Sequence, residues 1–219
     1  MAERVTGEWP LPPDVREEDI TFFRLYGPWQ SFTIPELKSL FDPIGISWWI
    51  AGGHAAEAFH QSPRHHEDID VSIFRSHVPE LRKAVEGRYH VWSVGHGTLR
   101  PVNDEFPEPA DDADQVWLRA HALAPWRADV LLNPDRDGNW LSRRDPSFSA
   151  PLEQVTWLRD GVRYLKPEIV LAFKARRVRP KDEHDFGAIV PRLDAAAIAW
   201  LRDSIIRCER PDHPWLERL

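Results

Sequence analysis

Cysteine is nearly absent from this sequence. Cys208 stands alone, so no intrachain disulfide can form, and the composition fits a reducing cytosol. Nothing around Cys208 looks able to activate a thiol, and it reads as incidental. Long apolar runs are missing too. No stretch approaches the roughly 18 consecutive apolar residues of a membrane span. Residues Met1 to Glu18 lack the apolar core of a signal peptide, so the expected location is the cytoplasm. There is no internal repeat and no low-complexity tract. Positive charge is in deficit: 28 basic residues face 35 acidic ones, for a net charge of -7. That balance argues against a non-specific grip on nucleic acid and suits a cationic small substrate. Eleven tryptophans and ten phenylalanines exclude a disordered chain, which cannot carry so much apolar mass.

The pattern reads as an α+β protein: a small mixed sheet flanked by helices, with a helical C-terminal region. Residues 1–19 are polar and rich in proline and read as an N-terminal arm. Pro35-Glu36 opens a short helix through Phe41, which Gly45 ends. Ile46 to Ala51 is short, aromatic and β-branched, and reads as a buried strand. Gly52-Gly53 closes it, and His54 to His60 forms a short helix. Asp68 to Phe74 alternates polar and apolar residues at the period of a strand. Val78 to Glu86 is an amphipathic helix with Val78, Leu81 and Val85 at helical spacing. Tyr89 to Val94 is a further strand. Asn103 to Asp114 holds six acidic residues and two prolines and reads as an exposed loop. Arg127 to Leu132 is a strand, and Asp137-Gly138-Asn139 a turn. Helices are expected over 167–177, 181–193 and 195–207. The boundary between core and helical region is drawn at 150/151, giving a core of 1–150 and a mainly helical 151–219.

The chemistry concentrates around Asp68-Ile69-Asp70. On a strand, residues i and i+2 share a face, so two carboxylates stand together while Ile69 points to the core. Crowded carboxylates repel and raise each other's pKa, and a divalent cation removes that penalty. Oxygen donors suit Mg²⁺ or Mn²⁺. The strand–Gly52-Gly53–helix junction lets backbone approach a phosphate closely, at a helix end that favours anions. Asp129 interrupts an otherwise apolar strand and is the candidate third carboxylate of a two-metal site. The alternative is an edge-strand aspartate facing solvent.

Gly52-Gly53 with Arg64, His66, Asp68 and Asp70, spaced Arg-x-His-x-Asp-x-Asp, resembles the nucleotidyltransferase superfamily with the polymerase-beta-like core. More narrowly it resembles the aminoglycoside-2''-adenylyltransferase and lincosamide nucleotidyltransferase group. The runs Tyr164 to Glu168, Lys174, and Arg179 to Phe186 extend the resemblance, which covers about residues 46 to 193. It implies an enzyme that moves a nucleoside monophosphate, AMP from ATP, to a hydroxyl of a small acceptor such as an aminoglycoside-like compound. It implies Mg²⁺ held by Asp68, Asp70 and Asp129, and a triphosphate bound by Gly52, Gly53, Arg64, His66, Lys174 and Lys181. Asp129 is the first choice for general base, with Asp104 or Glu105 behind it.

Each supporting residue has a plainer reading. Arg64 and His66 can brace the loop by pairing with Asp68 or Glu67. Lys174 can be a solvated helical lysine, and Asp182 and Asp185 helix braces. Trp48 can stack a base or sit in the core. The cluster His54, His60, His65 and His66 could hold zinc or iron, but such ligands sit on helices, and the alternation through Phe74 points to a strand. Two other functions stay open: a toxin-type transferase acting on transfer RNA or protein, and a non-catalytic nucleotide-binding scaffold. The sequence leaves the oligomeric state open.

Overall fold

A computed structural model describes residues 17–64, 66 and 68–219. Most of the expected N-terminal arm, with His65 and Glu67, lies outside the described residues. From Glu17 the chain is helical: α1 spans Glu17–Tyr26. Helix α2 (Ile34–Phe41) is fixed at its start by a capping box. The Thr33 hydroxyl accepts from the Glu36 N–H, and Glu36 Oε2 accepts from the Thr33 N–H at 2.7 Å, so two orphan donors are satisfied reciprocally. Leu37, Leu40 and Phe41 are buried. Gly45 stops the segment at φ +78°, a conformation that glycine adopts freely.

The strands that follow are β1 (Trp48–Ile50), β2 (Asp70–Phe74), β3 (His90–Gly95), β4 (Thr98–Val102), β5 (Gln115–Arg119) and β6 (Trp126–Asn133). Helices α3 (Gly52–His60) and α4 (Val78–Val85) lie between them. Val78, Leu81 and Val85 are all fully buried, as their spacing predicts. A small three-stranded sheet follows, made of β7 (Asp135–Arg136), β8 (Asn139–Leu141) and β9 (Ser149–Ala150). Asp137 and Gly138, at φ +53° and +77°, turn its hairpin.

The main sheet does not end where the boundary at 150/151 places it. After the short helix α5 (Leu152–Val155), strands β10 (Thr156–Arg159) and β11 (Val162–Leu165) join it beside β1. The order is β10-β11-β1-β2-β6-β5-β3-β4. The helical region therefore begins with α6 (Pro167–Ala175), followed by α7 (Pro180–Ile189) and α8 (Ala195–Cys208). Two strand pairings set up the site: β1 runs antiparallel to β2, and β2 parallel to β6 with Asp70 opposite Asp129.

The tryptophans are mainly packing. Trp49, Trp126, Trp140 and Trp215 are fully buried. Trp48 is core as well: it stacks on Phe41 at 5.6 Å and donates to Asp42. No helix among the described residues is long and apolar enough to cross a membrane.

Candidate active site

Gly52 and Gly53 are the first residues of α3, not a linker before it. The reason for glycine is steric at both positions. A Cβ on Gly52 would lie 1.7 Å from Asp70 Oδ2, and its φ is +56°. A Cβ on Gly53 would lie 2.4 Å from an Arg64 guanidinium nitrogen and 2.7 Å from His66 Nδ1. The helix start is thus pressed against the carboxylate and the loop that precedes β2, with its first N–H groups unpaired within the helix.

Asp70 is the first residue of β2 and Asp129 its register partner on β6. Asp68 is not on the strand, as alternation suggested; it is exposed in the loop before it. The crowding is still felt. Burial, and then the charge of Asp68, raise the Asp70 pKa to about 6, against the opposing charges of Lys174, Lys181 and Arg179. Burial, then Asp70 and Asp68, push Asp129 well above the usual carboxylate range. Asp129 is not a solvent-facing edge residue. Trp117 donates to it, and the Gln115 amide, nitrogen turned inward, stands 3.2 Å from both of its oxygens. Sequence reasoning missed this brace because β5 was not foreseen. Its signal was present in the short apolar run Val116-Trp117-Leu118, bounded by polar Gln115 and Arg119.

Behind the glycines lies a buried ion network. Asp182 and Asp185 are both fully buried. Arg64 donates to Asp185 at 3.1 and 3.2 Å. Lys174 reaches Asp182 at 2.7 Å and Asp185 at 3.1 Å. Arg179 donates side chain and backbone to Asp182. Burial alone would raise both aspartates. The bonds from Arg179 and Lys174 to Asp182, and from Arg64 and Lys174 to Asp185, outweigh it and hold both carboxyls low. Lys174 is therefore not a solvated lysine, and the bracing role foreseen for Asp182 and Asp185 is what the geometry shows. His66 shares a 2.7 Å bond with Glu57 and stacks on His54 at 4.0 Å. Burial, followed by His66, lowers His54 to about 4.

These parts surround one cavity of about 660 Å³, lined by Gly52, Gly53, Arg64, His66, Asp68 and Asp70 on one side and by Lys174 and Lys181 on another. Asp129 stands directly behind Asp70 in the sheet. Trp49 lines the cavity; Trp48 does not. Asp104 and Glu105 are exposed on a loop away from it, with Asp104 paired to Arg82. The wall also holds four arginines not singled out from sequence: Arg143, Arg144, Arg176 and Arg177. They form two Arg-Arg pairs, each in a loop after an apolar segment, and that pairing was their only sequence signal. Among the described residues, no three His, Cys, Asp or Glu side chains converge into a ready-made metal cage.

The family model of the aminoglycoside-2''-adenylyltransferases matches residues 33–148, more than half of the chain. The chain belongs to that family. It is a nucleotidyltransferase, and its mixed sheet with flanking helices is the fold of that superfamily. The match includes Gly52 through Asp129 and ends before α6. No curated protein matches the chain. Among solved structures, the chain is similar to the antibiotic-resistance factor ANT(2'')-Ia in solution, at 19% identity and TM-score 0.50 over 80% of this chain and 89% of that one. It is likewise similar to ANT(2'')-Ia in complex with adenylyl-2''-tobramycin, at 17% identity and TM-score 0.51 over 80% and 95%. These adenylyltransferase likenesses establish the fold.

Proposed function

We propose that this nucleotidyltransferase uses ATP as its donor and moves AMP to a hydroxyl of a small acceptor. Asp68, Asp70 and Asp129 would be its carboxylates, and Gly52, Gly53, Arg64, His66, Lys174 and Lys181 its nucleotide-binding groups. One observation carries the reading: the helix start at Gly52 touches the Asp70 carboxylate so closely that no side chain fits between them. A phosphate cradle and an acidic centre are thus one unit.

The donor set fits Mg²⁺ or Mn²⁺. Asp70 and Asp129 are partly buried side by side, Asp70 is crowded by the charge of Asp68 and Asp129 by those of Asp70 and Asp68, and their ligand atoms are oxygens. Mg²⁺ rarely occupies an all-protein cage and commonly takes one or two carboxylates plus substrate phosphates, so the lack of a ready-made cage suits a cation that arrives with the triphosphate. When bound by Asp68, Asp70 and Asp129, such a cation would supply positive charge to the phosphates and to the acceptor oxygen.

The chain's own groups do the rest. The N–H groups at the start of α3 hold phosphate oxygens. Lys174 and Lys181 add charge, and Arg64, clamped by Asp185, keeps the loop before β2 in place. Asp129 would take the acceptor's hydroxyl proton. The acceptor oxygen bonds to the α-phosphorus as the bridging bond to the β-phosphate breaks, and pyrophosphate leaves with that electron pair.

The test is calorimetric titration of Mg²⁺-ATP into the wild type and into Asp68→Ala/Asp70→Ala. Metal-dependent binding that disappears in the variant supports the reading. Equal binding by both, or none at millimolar nucleotide with other triphosphates also tried, rejects it.

A further inference from the structure

Strand β5 lies on the side of Asp129 away from Asp70. Its register sets Trp117 opposite Asp129 and Gln115 opposite Leu131, as β2 sets Asp70 and Ser72 opposite the same two residues. Residues opposed across a ladder share a face, and so do residues i and i+2 on a strand. Gln115, Trp117, Asp129 and Asp70 therefore lie on one face of the sheet. Ser72 and Leu131, on that face, line the cavity, so this is the face turned to it. Asp129 thus has a like charge on its β2 side and polar side-chain groups on its β5 side.

What β5 offers is a pair of donors with a fixed direction. An indole N–H donates and cannot accept. The Trp117 N–H donates to Asp129 and stands 3.2 Å from the Gln115 side-chain amide, so the amide atom facing it is the oxygen. That turns the amide nitrogen toward Asp129, 3.2 Å from each carboxylate oxygen. Trp117 is itself held, packing edge-on against Trp29 at 5.0 Å and Trp126 at 5.3 Å. Without these donors, repulsion from Asp70 would push the Asp129 carboxylate away from any position the two can share. Mg²⁺ demands near-ideal octahedral geometry, so its ligand oxygens need to be in place beforehand. The choice of an amide matters. A lysine at 115 would also donate, but its charge would pair with Asp129 and oppose a cation. The amide holds the carboxylate without neutralising it. An ionised carboxylate has about four acceptor sites, which leaves room for a metal.

We propose that Gln115, oriented by Trp117, is a positioning residue: it fixes the Asp129 oxygens where, together with Asp70, they take the divalent cation of the nucleotide. The proposal rests on the donor reading above and adds to it a residue outside the carboxylate and phosphate-binding set. Gln115 does not line the cavity and acts through Asp129. Loss of such an outer partner typically costs roughly 10–100-fold in metal affinity or activity.

The experiment is calorimetry of α,β-methylene-ATP, whose α–β bridge cannot be cleaved, with Mn²⁺ present and with metal removed by a chelator. The ratio of the two affinities is the metal's share of binding. Gln115→Met keeps the length of the side chain and removes its donors. Its ratio should fall roughly tenfold, while metal-free affinity and melting temperature hold. A residue that braces only the fold would lower the melting temperature and leave the ratio at its wild-type value, and that result overturns the proposal. Trp117→Phe, which keeps a ring and loses the N–H, should lower the ratio in the same direction; an unchanged ratio overturns the part given to Trp117. Asp129→Asn separates this proposal from the donor reading. If it removes the metal's share while Gln115→Met does not, the positioning role alone is overturned. If the wild type shows no metal share, or Asp129→Asn keeps it, the donor reading fails and the positioning role falls with it. Where Gln115→Met does not fold, a crystal structure of the wild type with Mn²⁺ and the analogue decides. Gln115 donating to an Asp129 that touches the metal supports the proposal, and an amide turned away from Asp129 overturns it.

Discussion

At Gly52 the constraint is steric before it is chemical. A methyl group there would overlap Asp70 Oδ2 at 1.7 Å, on a backbone already at φ +56°. Gly52→Ala must therefore move either the helix start or the carboxylate by an ångström or more. Misplacement on that scale costs reaction rates roughly 100-fold, so AMP transfer should fall by at least about that factor while far-UV circular dichroism stays native. Transfer at wild-type rates would show that the contact at Gly52 is incidental. Asp70 presents the opposite case, a residue whose presence weakens the protein. Its proton affinity is raised in the folded state, to about 6. Between the ordinary carboxylate range and that value the folded protein binds more protons than the unfolded chain. Stability therefore falls as pH rises through this window, by roughly 1–3 kcal/mol once complete. Asp129 pulls in the same direction. Asp70→Asn should raise the metal-free melting temperature at pH 8, raise it less at pH 5, and abolish transfer. A melting temperature that drops at pH 8 would mean that Asp70 braces the fold instead of straining it.

At the scale of elements, the site depends on how α3, α6 and α7 are tied. Asp185 on α7 holds Lys174 of α6 and Arg64 of the loop before β2, and its carboxyl is fully buried. Removing one partner from a buried pair is far worse than never having the pair. Asp185→Asn should cost about 3–5 kcal/mol, measured by urea unfolding. Because the carboxyls of Asp182 and Asp185 are depressed, their contribution is complete above the ordinary carboxylate pKa. It is lost as pH falls through their lower folded values, so acid unfolding of the wild type should set in below about pH 4 and the variant's profile should be flatter there. Much of this architecture was legible beforehand. Helix α4, strand β6 and the glycine junction follow from periodicity and turn chemistry, which are local. What was missed is non-local or disguised. Pro101 hides the edge strand β4. The β10–β11 hairpin turns at Asp160-Gly161, both at positive φ, a recognised hairpin signal that the helical pattern after it overshadowed. Asp68 was placed on the strand because alternation cannot say where pairing begins. The arginine groups were invisible because net charge is an average over the chain, whereas recognition depends on where each charge sits.

For the whole molecule, the question is whether residues 1–150 are a unit. The family match ends at residue 148, which invites the view of a core followed by an accessory region. The packing opposes it. A single hydrophobic cluster runs from Phe32 to Trp215, taking in Ile50 and Val71 of the sheet together with Ile169, Phe186 and Leu201 of the later helices. Strand β11 covers the edge of β1, pairing Ile50 with Tyr164, and Asp185 pairs with the Arg64 guanidinium while Asp182 and Asp185 both pair with the Lys174 ammonium. A fragment ending at residue 150 would expose β1 as an apolar edge next to the glycine junction, a surface prone to pairing with other chains. It would also leave Arg64 without Asp185. Such a fragment should fail to give a cooperative unfolding transition and should aggregate, whereas the full chain should unfold in one step when followed by tryptophan fluorescence and by circular dichroism. Coincident, cooperative transitions in the fragment would show that the later helices are an independent addition. Without that result, the proposed donor site belongs to the whole chain, because the two halves of the ion network beside it, Arg64 on one side and Lys174, Asp182 and Asp185 on the other, lie on opposite sides of residue 150.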